Sequence, residues 1–353
     1  MNDKDQLSVS TENLKTGHDL PEDELSSCIK ELTRESVSPQ HKQDFLKALA
    51  QKGETYEEFS IFIREFRKMS VDPQLHEFAP YSIDLCGTGG DKAQSFNISS
   101  FVSFVVASAG VPVIKHGNRS ISSKCGSADL IEAIGIPLNP PIDKIRECLK
   151  SLNFTFLFAP HFHPAFKHIA PIRKTLAETG IITIFNLLGP TINPARPANQ
   201  LLGVFDPIYL SKIGKALTSN EVKSGLVVHG EVRHSQVMGM DELTSCGANQ
   251  VFGIGELAME QTEQWQPEKW KVKTGNYADL RGGDLAENLK IMKSLLDGSA
   301  PYTLRTTVLV NAATAFWIQG RCSSLGEGME LAESLLVNGT VKLWLEKVSN
   351  FFR

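Results

Sequence analysis

What this 353-residue chain lacks narrows the reading first. No apolar run reaches the roughly 18 residues that a membrane-spanning helix needs. The opening stretch, MNDKDQLSVSTENLKTGHDLPEDE, has no apolar segment of the signal-peptide kind, so no secretory leader is expected. None of the six cysteines (Cys28, Cys86, Cys125, Cys148, Cys246 and Cys322) forms a C-x-x-C pair, and zinc-ribbon and thioredoxin-type readings fail on spacing. Long Lys/Arg runs are missing too, and the formal net charge is -4. Non-specific nucleic-acid binding, which draws on counterion release from phosphates, is therefore not expected. His161, His163 and His168 span Pro164 with no zinc-site spacing. The expectation is a cytoplasmic protein in a reducing compartment, with neither a membrane nor a nucleic-acid partner.

What is present reads as an α/β fold. Residues 1–19 are polar and aperiodic, and the expectation there is a disordered tail. Residues 20–80 have helical periodicity. Ser38-Pro39 suits a helix start, and Thr55 with Glu58 suits a capping box ahead of FSIFIREFRKM. After Pro80, short apolar runs alternate with helical stretches: 83–86, 111–115, 154–158, 181–185, 201–205 and 226–229. That alternation predicts a mainly parallel central sheet covered by helices over 81–353. Extended strands and loops are expected over 249–277, and helices from Asp284 onward.

Two loops carry the chemistry. In DLCGTGGDKAQSFNISS (84–100), a strand-like run ends at glycines and a buried helix begins near Ser99. Glycines let backbone N–H groups crowd round an anion, and a helix N-terminus presents more of them. A tight strand-to-helix turn that binds nothing has the same letters. Walker A spacing is absent, Lys92 breaks the dinucleotide fingerprint, and no kinase H-R-D or D-F-G occurs. The second loop, KHGNRSISSKCGSADLIEAIG (115–135), concentrates Lys115, Arg119 and Lys124 beside Asn118, Ser120, Ser122, Ser123 and Ser127. Cations and hydroxyls in two facing loops suggest a polyanionic ligand. Ser127 as an N-cap and Asp129 in a first helical turn are the plainer readings for those two residues.

These loops resemble those of anthranilate phosphoribosyltransferases: GTGGD (87–91), NISS (97–100), KHGNR (115–119) and GSAD (126–129). The supporting matches are KGET (52–55), HPA (163–165), IFNLLGPTINPA (184–195), the 241–242 acidic pair, LRGGD (280–284) and NAATA (311–315). The resemblance spans about residues 21–350. It implies a small helical domain, joined by a returning segment near 163–178, on a larger α/β domain. It also implies transfer of a phosphoribosyl group from 5-phosphoribosyl 1-diphosphate to anthranilate. The implied diphosphate-site residues are Gly87, Gly90, Asp91, Ser95, Asn97, Ile98, Ser99, Ser100, Lys115, His116, Gly117, Asn118, Arg119, Ser120, Ile121, Ser122, Ser123 and Ser127. For anthranilate they are Gly87, Asn118, His163 and Arg173, with His116 lining the same tunnel. Ser99, Asp241 and Glu242 would hold Mg²⁺, two ions per chain, and the family is typically a homodimer.

Three departures stand out. Lys92 follows GTGGD where the family usually has glycine; TGIIT (179–183) lacks the family's arginine; and EVRHSQVMGM (231–240) is longer and more basic than the family's short turn. Two rival readings share much of this pattern: a pyrimidine nucleoside phosphorylase, and a non-catalytic paralogue that binds nucleic acid. Asn118 within KHGNR and the 241–242 pair favour the transferase over the first, and the charge balance argues against the second.

Overall fold

The computed structural model describes residues 6–91, 93–119, 124–234 and 237–352. Four helices come first: α1 (Gln6–Lys15), α2 (Glu22–Leu32), α3 (Pro39–Lys52) and α4 (Tyr56–Lys68). The expected disordered tail is a correction, because α1 lies within it. Leu7 and Leu14, two turns apart, are buried against this helical unit. Glu31 accepts the Leu7 N–H at 3.1 Å, and Glu24 accepts the Ser10 hydroxyl at 2.6 Å. Partners 14 and 24 residues away order the segment, and local composition does not show them. At α4 the capping box forms as expected: Glu58 N–H donates to Thr55 Oγ1 (3.1 Å) and Thr55 N–H to Glu58 Oε2 (3.0 Å). Pro39 opens α3, although the Ser38 side chain makes no cap bond.

Apolar runs buried on both faces make the sheet. β1 (Ile83–Gly87), β2 (Val113–Gly117), β3 (Phe154–Phe158), β4 (Asn199–Gly203) and β5 (Ser224–His234) are joined by β6 (Val237–Met240), β7 (Asn249–Gly255) and β8 (Glu263–Trp265). Their order is β3-β2-β1-β4-β5-β7-β8, with β6 paired to β5 alone. Pairing is parallel from β3 through β5 and antiparallel beyond. Side chains alternate between faces, as the pleat requires. Leu85, Leu201, Leu226 and Val228 join one core cluster; Cys86, Leu202 and Val227 join the other.

The first cluster is covered by α5 (Ile98–Ser108), α12 (Leu285–Leu296), α13 (Tyr302–Ile318), α14 (Leu325–Val337) and α15 (Thr340–Phe351). On the opposite face lies α11 (Leu210–Ser219), and α1–α4 pack on one another, on α9 (Ala170–Glu178) and, through α4, on α11; the helices α6 (Ser127–Ala133), α7 (Ile142–Leu152), α8 (Ala159–Phe162) and α10 (Phe185–Leu188) complete the set. The segment around α9 returns to pack on α3. Lys212 on α11 pairs with Glu54 at 2.9 Å, and Arg67 on α4 donates to the Asn220 carbonyl at 3.2 Å. Among the described residues no helix is long and apolar enough to cross a membrane.

One expected strand does not form. Residues 181–185 lead into α10 instead, because Asn186 Oδ1 takes the Thr183 N–H at 2.9 Å and Thr183 O takes the Asn186 N–H at 2.9 Å. A side chain there satisfies backbone that a sheet neighbour would otherwise need. The basic stretch 231–240 becomes a β5–β6 hairpin, with Gly230 opposite Met240 and Glu231 opposite Gly239. Asp241 therefore follows directly after a strand.

Candidate active site at the strand ends

β1 and β4 are adjacent, yet the chain leaves β1 for β2 on one side and returns as β4 on the other. This is the switch point of a parallel sheet, where helical connections diverge and leave a crevice beyond the carboxyl ends of the strands. Glycine ends each of β1, β2 and β4. Gly87 pairs with Gly203 in register, and a Cβ on either would overlap Asp241. The acidic pair thus seats on the switch point because these two strands end without side chains.

The first loop wraps this corner. Gly89 and Gly90 take φ values of +63° and +80°, which glycine alone adopts freely. Gly89 N–H donates to Asp241 Oδ2 at 2.7 Å, and Asp241 N–H donates to Asp91 Oδ2 at 3.3 Å. Asp91 Oδ1 also accepts the Ala93 N–H at 3.0 Å. Downstream, Ser95 bridges Arg281, and the LRGGD segment holds the loop through Gly282 N–H to Gln94 O (2.9 Å) and Phe96 N–H to Leu280 O (2.9 Å). Asn97 caps α5 by position and donates to the Cys125 carbonyl at 3.2 Å, tying the first loop to the second. Ile98 and Ser100 point into the core, and Ser100 Oγ has no partner among the described residues.

Asp91, Asp241 and Glu242 bring carboxylate oxygens within 4.8 Å of one another. Sequence reading assigned Asp91 to the diphosphate alone; 150 residues separate it from Asp241, so only the fold shows the three-acid cluster. Burial pushes Glu242 well up, and its two acidic neighbours add to that; burial and then Asp241 raise Asp91. Buried like charges favour proton uptake or a bound cation. Glu242 Oε2 is a buried acceptor with no partner among the described residues. Ser99, Asp241 and Glu242 line one small cavity of about 10 Å³ with Asn311. Hard oxygen donors with an orphaned carboxylate oxygen suit a magnesium-sized ion.

Lys115 stands behind this corner, 2% exposed. Its ammonium donates to Leu85 O and, at 3.4 Å, to Ser99 Oγ. Burial lowers its pKa against the pull of Asp84, while burial raises Asp84 to about 6 against the pull of Lys115. Desolvation outweighs mutual attraction for both members. Asp84 also accepts the His116 N–H (3.3 Å) and the Asn193 amide (2.9 Å), which fixes the start of the second loop.

The second loop is only partly described: Ser120, Ile121, Ser122 and Ser123, like Lys92, lie outside the described residues. Asn118 O accepts the Ser127 hydroxyl at 3.2 Å, and Gly117 packs so closely on Ser127 and Phe156 that a Cβ would collide. Gly126 takes the cap position of α6 in place of Ser127, with Asp129 accepting its N–H at 2.8 Å. Arg119 is held by Asp129 (2.5 Å) and Glu132 (2.8 Å), a pairing that the cation-rich sequence did not announce.

Beyond β2, His116 and His163 meet edge to face with ring centroids 5.0 Å apart. Both are buried, and Nε2 of each has no partner among the described residues. Burial holds His116 far below its ordinary pKa, with His163 adding to the shift, and holds His163 near 4. Both are neutral rings at pH 7. On α9, burial lowers the Arg173 pKa, and the guanidinium forms no ion pair among the described residues.

Residues 79–342 match the family described as "Glycosyl transferase family, a/b domain". The anthranilate phosphoribosyltransferase of Chlorobaculum tepidum is 37% identical over 92% of this chain and 90% of its own length. The crystal structure of the enzyme of that name from Thermus thermophilus superposes with a TM-score of 0.86 at 37% identity, covering 98% of this chain and 99% of that one. The Saccharomyces cerevisiae enzyme, solved in complex with PRPP and Mg, shares the fold with a TM-score of 0.82 at 23% identity, covering 98% and 97%. With a family match over most of its length and relatives above one-third identity, the chain belongs to the glycosyl transferase family and, within it, to the anthranilate phosphoribosyltransferases.

Proposed function

We propose that this chain transfers the 5-phosphoribosyl group of 5-phosphoribosyl 1-diphosphate to the amine of anthranilate, releasing diphosphate. The observation that carries the reading is the pairing of a three-carboxylate corner with a glycine-loop N–H donor at one switch point. In the transfer, the C1–O bond of the ribosyl diphosphate breaks and its electron pair leaves with diphosphate. The amine lone pair forms the new C1–N bond, and the ammonium proton passes to diphosphate or solvent. No side-chain nucleophile is needed, so the protein's task is to place two substrates and meet the charge that develops.

Gly87, Gly90, Asp91, Ser95, residues 97–100, residues 115–123 and Ser127 would hold the phosphoribosyl diphosphate, with the Gly89 N–H a backbone donor beside them and the Ser99 hydroxyl facing the same corner. Ser99, Asp241 and Glu242 would hold Mg²⁺, two ions per chain, with Asp91 the next carboxylate to hand. A bound Mg²⁺ supplies positive charge to the departing diphosphate. Asp241 serves Gly89 N–H in the arrangement described, so the loop donor and the acid exchange partners when a phosphate arrives. Arg119 likewise exchanges Asp129 and Glu132 for phosphate if it contacts the ligand. Asn118, His116, His163 and Arg173 would receive anthranilate, its carboxylate on the guanidinium fork.

The same reading divides the chain into a helical lobe (residues 20–80 with 163–178, to which α1 adds) and an α/β lobe (81–353), with the substrates between them. It makes the active form a homodimer in the cytoplasm. Six free cysteines suit a reducing compartment. Light scattering on a sizing column reads the dimer directly. The reaction itself is tested by mixing protein, anthranilate, 5-phosphoribosyl 1-diphosphate and Mg²⁺. Loss of anthranilate fluorescence with stoichiometric diphosphate release is expected, and no turnover at saturating substrates overturns the reading.

A further inference from the structure

The NAATA segment lies at the centre of α13, a helix buried along most of its 17 residues. An asparagine there is costly unless its amide is fully bonded. Asn311 is 3% exposed, and its amide bonds both within its own helix and beyond it. Oδ1 accepts the Leu243 N–H at 3.2 Å, and Nδ2 donates to the Leu243 carbonyl at 2.7 Å and to Thr307 O at 2.8 Å. The amide thus acts toward Leu243 as a neighbouring strand would, gripping both backbone groups of one residue. One turn earlier on α13, Thr307 Oγ1 accepts the Ser245 N–H at 3.3 Å. Between these, Asn249 Oδ1 accepts the Thr244 N–H at 2.7 Å. After β6 leaves the sheet, side chains therefore replace the ladder for the turn that carries the acidic pair. Leu243 directly follows Glu242, and Asn311 borders the cavity shared by Ser99, Asp241 and Glu242.

We infer that Asn311 is a positioning residue: it fixes the backbone of the 241–243 turn so that Asp241 and Glu242 aim into one cation site. Asn311 does not itself touch substrate. The inference rests on the reading that this acidic pair binds a divalent metal, and the test keeps the two apart. Mn²⁺ serves as the probe, and its binding is followed by the loss of its free-ion electron paramagnetic resonance signal in wild type, Asn311→Ala and Thr307→Val. Thermal melts are run alongside. Orienting groups behind metal ligands typically change affinity by about 10–100-fold. Asn311→Ala is expected to weaken Mn²⁺ by about tenfold or more and to raise the Mg²⁺ needed for half-maximal turnover in parallel. Its KM for anthranilate, which is assigned to the histidine cluster and Arg173, stays close to the wild-type value. A folded Asn311→Ala that binds Mn²⁺ as wild type does overturns the inference. Should that variant not fold, Thr307→Val decides it: weaker Mn²⁺ binding supports the fastening role, and unchanged binding overturns it. Wild type that takes up no Mn²⁺ rejects the metal-site reading itself.

Discussion

Two clusters bury titratable groups of opposite kinds, acids in one and bases in the other. At the strand-end corner three carboxylates crowd together, and burial drives Glu242 and Asp91 toward their protonated forms. In the other cluster His116 and His163 are desolvated and neutral at pH 7, and on α9 burial lowers the pKa of Arg173. Neither cluster is balanced from within. Asp84 and Lys115 are also buried and shifted toward their neutral forms, but here the two attract one another and each makes two hydrogen bonds with named partners. The contrast separates scaffold from site. Asp84 and Lys115 hold the loops in place through named partners, whereas Glu242 Oε2 and both histidine Nε2 atoms have none among the described residues.

Removing the acid cluster breaks the contrast most severely. Asp241→Ala with Glu242→Ala should lower turnover by about 100-fold or more, since charge neutralisation by a metal is worth several kcal/mol and each 1.36 kcal/mol is tenfold. The melting temperature should hold or rise, because a repulsive cluster has been dissolved. Fluorescence kinetics and thermal melts check both. Unaltered turnover would remove these residues from the metal site. On α9, Arg173→Ala should raise the KM for anthranilate by about 10–100-fold, from a charged hydrogen bond of about 1.5–3 kcal/mol, and change kcat less. A fall in kcat alone would place Arg173 elsewhere in the reaction.

Acidification probes the histidine cluster through stability. Unfolded, His163 titrates near its ordinary 6.5; folded, near 4. Between those values the unfolded chain binds the extra proton, so this contribution is complete above pH 6.5 and is lost as pH falls toward 4. Its full size is about 3 kcal/mol, from about 2.5 pH units at 1.36 kcal/mol each. His163→Gln should flatten that part of the stability profile in denaturant titrations; an identical slope would deny the burial effect. The smallest effect belongs to neither cluster: Thr55→Ala removes the α4 cap, costs about 1 kcal/mol, and leaves both KM values in place.

Sequence made β1 to β5 legible because strands buried on both faces read as continuous apolar runs. It misread residues 181–185, where Asn186 satisfies the backbone locally, and residues 6–15, whose ordering depends on Glu24 and Glu31. Both loops of the site were visible as motifs, since glycines and hydroxyls at fixed spacing carry their own chemistry. Contacts between distant motifs were not visible. Asp91 meets Asp241 across 150 residues, and Asn311 grips Leu243 across 68. Each needs the switch point or the helix packing to bring the partners together.

The division of charge between the two clusters is tested most directly by anomalous diffraction from crystals grown with Mn²⁺, 5-phosphoribosyl 1-diphosphate and anthranilate. Metal peaks bounded by Ser99, Asp241 and Glu242, with the anthranilate carboxylate on Arg173, are the expected result. Metal held away from the acidic pair, or a carboxylate turned toward that corner, would contradict it.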